Sequence, residues 1–217
     1  MRGKVLNQRY LLRRHGLGGR DELLALARRT AQAVSVAELV GIEGAAAARY
    51  FGSFDGALRP EWAAFEGRTS RPARDRVNAA LNVAYGLLLA DVVRAVASCG
   101  LDPNGGVLHS SGRNKPALAL DLMEELRPLV ADAAVVWAIN NGELREDDMR
   151  EDFGVMRLTP RGRKALIATY ERRVGSEFRH PRFGYRVTWR RAMEIQARMF
   201  LAVVTGEAER YESIVMR

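Results

Sequence analysis

Apolar residues recur at helical spacing along most of this chain and alternate over very little of it, so the pattern predicts helices. Leu23, Leu24, Ala27, Ala31 and Val34 share a face behind the first-turn acids Asp21 and Glu22. A second helix is predicted to start at Ser35, with Glu38 at capping-box spacing, and to run toward Phe54. The longest stripe, from Val77 through Leu81, Ala84, Leu88 and Val92 to Val96, follows the capping residue Asp75, reaches about Ser98 and is ended by Gly100. From Pro116, Leu118, Leu122, Met123, Leu126 and Leu129 predict a helix to about Asn140, stopped by Asn141 and Gly142. Pro160 opens another, and Thr188 begins a last one to about Thr205 with Ala192, Ile195, Met199 and Val203 inward.

The intervening stretches carry weaker patterns. Residues 55–76 are a loop-rich connection anchored by Trp62 and Phe65, and residues 143–152 are predicted as a short, solvated acidic helix. Residues 154–159 suit a short strand or hairpin, residues 175–186 a loop containing His180, and the tail from Gly206 a loosely packed end. Met1 to Gly19 is basic and then glycine-rich, which predicts an irregular piece and a flexible joint. The expected fold is mainly α, with at most a short hairpin: a basic linker over 1–20 and one all-α domain over 21–217.

Composition narrows the function classes. With 217 residues, 47% of them hydrophobic, the chain can bury a core. Cys99 is the only cysteine, which excludes an internal disulfide and a cysteine-based zinc site; it is expected as a buried small apolar residue in a reducing compartment. No stretch is read as reaching the roughly twenty apolar residues that span a bilayer. The N-terminus is too basic for a secretory signal, so a cytoplasmic protein with no membrane partner is expected. There is no phosphate-binding glycine loop of the nucleotide type and no serine elbow.

The net charge of +8 favours an anionic partner, and its distribution says more. Residues 1–30 carry eight basic residues against two acids, residues 157–191 eleven against two, and residues 121–152 ten acids against three arginines. An acidic stretch between basic flanks suits an enzyme that grips a phosphate backbone and cuts it with carboxylate-held metal.

The chemistry concentrates in HSSGRNKPALALDLMEELRP, His109 to Pro128, where a histidine and a basic glycine loop precede Asp121 and Glu124 on one helix face. Both carboxylates are expected to point at one spot able to hold a divalent cation; the other reading is a capped helix with a solvated acidic edge. Upstream, Glu43 stands between Gly41 and Gly44, either as a ligand or as a surface acid, with Arg49 on the same helix facing either a phosphate or a salt-bridge partner. The run GRTSRPARD, with Arg68 and Arg71, is either a DNA-backbone loop or a solvated arginine loop.

Together, GIEGAAAARYF, GRTSRPARDRVNAALNVAYGLLL, GLDPNGGVLHSSGRNKPALALDLMEELRP and LTPRGRKALIATYERR resemble, in order and over almost the whole chain, the helical catalytic domain of the CRISPR-associated integrases, the Cas-one family. The resemblance implies a metal-dependent DNA endonuclease and integrase that joins the 3′ ends of new spacer DNA to the CRISPR repeat by transesterification. Carried over by motif, Glu43, His109 and Glu124 are the catalytic and metal-holding residues, Asp121 is supporting, and the metal is Mg²⁺ or Mn²⁺. Arg49, Arg68, Arg71, Arg113 and Lys115 are the expected DNA contacts. The implied partners are double-stranded and branched DNA, the Cas-two protein and a second copy in a homodimer. The family's N-terminal β domain is not matched. Two further readings stand beside this one: a non-catalytic basic DNA-binding module, and a related mobile-element transposase.

Overall fold

The computed structural model describes residues 1–69, 72–109 and 115–217. In chain order the helices are α1 (Arg2–Arg14), α2 (Arg20–Arg29), α3 (Val36–Phe54), α4 (Arg76–Ser98), α5 (Ala117–Met123), α6 (Ala133–Asn140), α7 (Pro160–Gly175) and α8 (Trp189–Val204). Two antiparallel hairpins complete the described secondary structure: β1 (Met149–Asp152) with β2 (Val155–Leu158), and β3 (Glu177–Arg179) with β4 (Arg186–Thr188). The fold is mainly α, as expected, but it has two hairpins where at most a short one was expected, and the second takes up part of residues 175–186, which were expected as a loop.

The capping chemistry explains where the predicted helices start. Ser35 accepts the Glu38 N–H at 3.1 Å, Asp75 that of Asn78 at 2.7 Å, and Thr188 that of Arg191 at 3.1 Å. Between them α4 forms the axis, with α5, α7 and α8 packed around it. By length and composition α4 could cross a bilayer, contrary to expectation, but here it is a core helix whose Val77, Leu81, Leu88 and Val96 are fully buried.

The first nineteen residues are not an irregular linker. They form α1, whose buried stripe is Lys4, Asn7, Gln8, Leu11 and Leu12, at i, i+3, i+4, i+7 and i+8. Gly16, at φ +70°, closes the helix: its N–H bonds the Arg13 carbonyl and that of Leu17 bonds the Leu12 carbonyl.

The predicted helix from Pro116 to Asn140 is helical throughout but not uniform. After α5 it tightens into a 3₁₀ turn over Glu124–Leu126 and then widens into a π turn over Arg127–Asp132 before α6 resumes. Pro128, which has no N–H to donate, sits at the change.

Three further expectations are corrected. Residues 143–152 hold a short 3₁₀ turn and a strand rather than an acidic helix; Asp148 is buried, with Arg161 Nε at 2.7 Å from Oδ1. Cys99 is half-buried. The tail is tied down: Asn7 Nδ2 donates to the carbonyls of Ile214 (2.7 Å) and Glu125 (2.8 Å), and Asn7 Oδ1 accepts from the Met216 N–H at 3.1 Å. Tyr211 Oη and Gln196 Nε2 both donate to Glu125 Oε1, and Gln196 Nε2 also to the Glu212 carbonyl. A Cβ on Gly3 would lie 2.4 Å from Ser213 Cβ, so the tail's approach requires glycine there.

Candidate active site

Two of the expected acids meet across α1. The Lys4 ammonium lies 2.5 Å from Glu43 Oε1 on α3 and 2.5 Å from Glu124 Oε2 at the end of α5, while Arg127 takes the other Glu124 oxygen at 3.0 Å. Burial pushes the Glu124 carboxyl up, but the Lys4 and Arg127 charges more than offset it and hold the group below its ordinary value. Glu124 Oε2 is buried and faces the ammonium as an ion pair, yet accepts no aligned hydrogen bond.

Asp121 does not share this spot. Its Oδ2 accepts the N–H groups of Val107 (2.7 Å) and Leu108 (2.9 Å), and its Oδ1 accepts that of His109 (3.0 Å) and meets His109 Nδ1 at 2.6 Å. A carboxylate can only accept, so the ring Nδ1–H donates to it. Among the described residues no group of three or more His, Cys, Asp or Glu side chains is drawn together tightly enough to hold a metal. Glu43 and Glu124 are therefore a pair bridged by Lys4, and His109 is held separately by the carboxylate of Asp121.

Behind the pair is a cavity of about 200 Å³ whose walls include Lys4, Glu43, Arg68, Tyr85, Arg127 and Asp132. Asp132 accepts Tyr50 Oη at 2.8 Å and Tyr85 Oη at 2.7 Å, and burial lifts its carboxyl from 3.8 to about 6 despite those bonds and the charges of Arg127 and Arg68. Both phenols are raised by burial and by Asp132. Arg68 and Arg127 each lie over the Tyr85 ring, at 5.1 and 4.9 Å.

The expected DNA contacts are dispersed. Arg68 donates to Asn78 Oδ1 (2.8 Å) and Asn82 Oδ1 (2.6 Å), so it is built into the cavity wall. Arg49 pairs with Glu22 on α2 at 2.9 Å, and Lys115 is exposed. Arg71 and Arg113 lie outside the described residues. Residues the sequence did not single out complete the site, Lys4, Arg127 and Asp132, while Tyr50, read with Arg49 as able to face a phosphate, instead donates to Asp132. The signal for Lys4 was the 4, 7, 8, 11, 12 spacing of α1, hidden because polar side chains occupy three of those five positions.

The family model described as CRISPR associated protein Cas1 matches residues 1–172. A CRISPR-associated exonuclease Cas4/endonuclease Cas1 fusion of Geobacter sulfurreducens is 42% identical over 99% of this chain and 41% of its own length. The chain thus spans about two fifths of that relative. Among solved structures, a casposase bound to integration product superposes with a TM-score of 0.83 at 25% identity, over 97% of this chain and 62% of the casposase. A chain of a partial Cas6-RT-Cas1–Cas2 complex gives 0.85 at 26% identity, over the whole of this chain and 66% of that one.

Proposed function

Because the chain belongs to the CRISPR-associated Cas1 family, we propose that it is the catalytic part of a DNA integrase and nuclease of CRISPR adaptation, working on branched and double-stranded DNA. The observation that carries this is the convergence of Glu43 and Glu124 on one buried cationic position. The reaction is transesterification: a 3′-hydroxyl oxygen of one strand forms a bond to a backbone phosphorus, and the phosphorus–oxygen bond of the target strand breaks to release a new 3′-hydroxyl.

Two carboxylates and an imidazole are a hard oxygen and nitrogen donor set of the kind that takes Mg²⁺ or Mn²⁺; Glu43 and Glu124, which already share one cation in Lys4, and His109 would hold it. Such an ion supplies positive charge to the phosphoryl oxygens and lowers the pKa of the attacking hydroxyl. Lys4 keeps the two carboxylates together in a site that would otherwise bury like charges side by side. Asp121 sets the imidazole's tautomer and fastens the loop that carries it. Arg127 and the arginine-rich walls face the phosphate backbone. The Cas2 protein and a second copy of the chain are the expected partners, in line with the Cas1–Cas2 complex it superposes on.

The test is strand transfer on branched DNA during a Mn²⁺ titration. Glu43→Ala and His109→Ala each abolish product while leaving the fold intact; product that persists in both variants removes the assignment. The superposition on a casposase favours a second reading, a mobile-element transposase with the same chemistry, which is distinguished by the DNA ends it selects.

A further inference from the structure

Glu125, next to Glu124, is a buried acid that the mechanism above does not use. No cation meets it among the described ion pairs, whereas Glu124 has both Lys4 and Arg127. Its partners are neutral donors instead. Its Oε1 accepts Tyr211 Oη at 2.9 Å and Gln196 Nε2 at 2.7 Å, and its carbonyl accepts Asn7 Nδ2 at 2.8 Å. The two side-chain donors brace each other, Gln196 Nε2 lying 2.7 Å from Tyr211 Oη, and Asn7 Nδ2 also takes the Ile214 carbonyl at 2.7 Å. Three segments remote in sequence, α1, α8 and the tail, therefore close on a single residue.

That residue sits in the 3₁₀ turn Glu124–Leu126, between α5 and the π turn Arg127–Asp132. The pitch changes on both sides, so the flanking helix does not fix the rotation of this turn about its axis as an unbroken α-helix would. At three residues per turn, neighbouring side chains point about 120° apart. Glu124 faces Lys4 and Arg127, and Glu125 faces α8 and the tail. Turning the segment to release Glu125 would swing Glu124 off the position it shares with Glu43. Asn7, three residues after Lys4 on α1, ties the same turn to the helix that carries the bridging ammonium.

We propose that Glu125 is a positioning residue for the integrase centre: held by Tyr211, Gln196 and Asn7, it keeps the 3₁₀ turn at the bearing that aims the Glu124 carboxylate at the cation position shared with Glu43. This rests on the reading of Glu124 as a metal ligand given above.

The test uses the whole chain and three readouts: calorimetric Mn²⁺ affinity, melting in EDTA, and strand-transfer kinetics. Glu125→Leu removes both acceptor oxygens and should lower Mn²⁺ affinity and kcat about tenfold each, with the KM for DNA changed less than about twofold. Glu125→Gln keeps one oxygen for Tyr211 and Gln196 and restores both to within about threefold of the parent. Tyr211→Phe weakens Mn²⁺ about threefold, and adds nothing to Glu125→Leu, because the phenol acts through this carboxylate. A merely structural role lowers the Tm and leaves the Mn²⁺ affinity of the folded molecules unchanged. Mn²⁺ affinity in Glu125→Leu and Tyr211→Phe equal to that of the parent, or a full additional loss in the double variant, overturns the inference; should Glu125→Leu not fold, Tyr211→Phe decides by the same Mn²⁺ readout. If the parent binds Mn²⁺ but transfers no strand, and the variants still lose Mn²⁺, the positioning role stands and the integrase reading falls. Strand transfer by the parent with unaltered Mn²⁺ binding in the variants is the reverse.

Discussion

One carboxylate, that of Asp121, holds His109 twice, by its backbone N–H at 3.0 Å and by its ring Nδ1 at 2.6 Å. With Val107 and Leu108 on its other oxygen, the side chain acts as the hinge pin of the histidine loop. Asp121→Asn turns one acceptor into a donor facing donors, which leaves at least one of these groups without a partner. Mn²⁺ affinity and strand-transfer rate should each fall about 10- to 100-fold, as for other outer carboxylates on a ligand histidine. Calorimetric Mn²⁺ binding equal to that of the parent would show that the carboxylate only shapes the loop.

Lys4 is the one cation shared by Glu43 and Glu124 among the described ion pairs. Lys4→Met leaves two carboxylates close together with less countercharge, and breaking a buried pair from one side costs about 3 kcal/mol or more. For a chain of this size that is a drop in Tm of very roughly 10 °C in EDTA. Because Mn²⁺ binds only the folded site, it should raise the Tm of the variant more than that of the parent. Equal shifts in melts with and without Mn²⁺ would remove the ion from between these carboxylates.

Asp132 supplies a pH signature. Its folded value, about 6, is above its ordinary 3.8, so the folded state binds the proton more tightly than the unfolded one. That stability is fully present below about pH 4 and is lost as the pH rises through about 6. At about 1.4 kcal/mol per unit, the parent should lose on the order of 3 kcal/mol relative to Asp132→Asn across this window. Urea unfolding of the two proteins between pH 4 and 7 measures it, and parallel stability curves would contradict it.

How far the sequence revealed all this depended on which side chains carried the pattern. The helices behind Ser35, Asp75 and Thr188 were legible because a capping oxygen and an apolar stripe agreed. α1 was not, because its inward stripe alternates in kind, with Lys4, Asn7 and Gln8 among leucines, and the partners of Lys4 and Asn7 are distant in sequence: Glu43 and Glu124 for the one, Glu125 and Ile214 for the other. Pro128 was read past because a widened turn keeps a helical look in sequence. Glu43 and Glu124 were recognisable as a pair from their motifs, but the spacing rule that placed Asp121 beside Glu124 could not say that Asp121 would be drawn off by three loop amides.

The tail that closes over α1 makes the shell around the acids a long-range affair. Asn7 has its side chain satisfied by residues 214 and 216, and Glu125, next to Glu124, by residue 211. Loop closure of that length forms slowly. The central helices can therefore assemble before the pocket behind Glu124 is sealed.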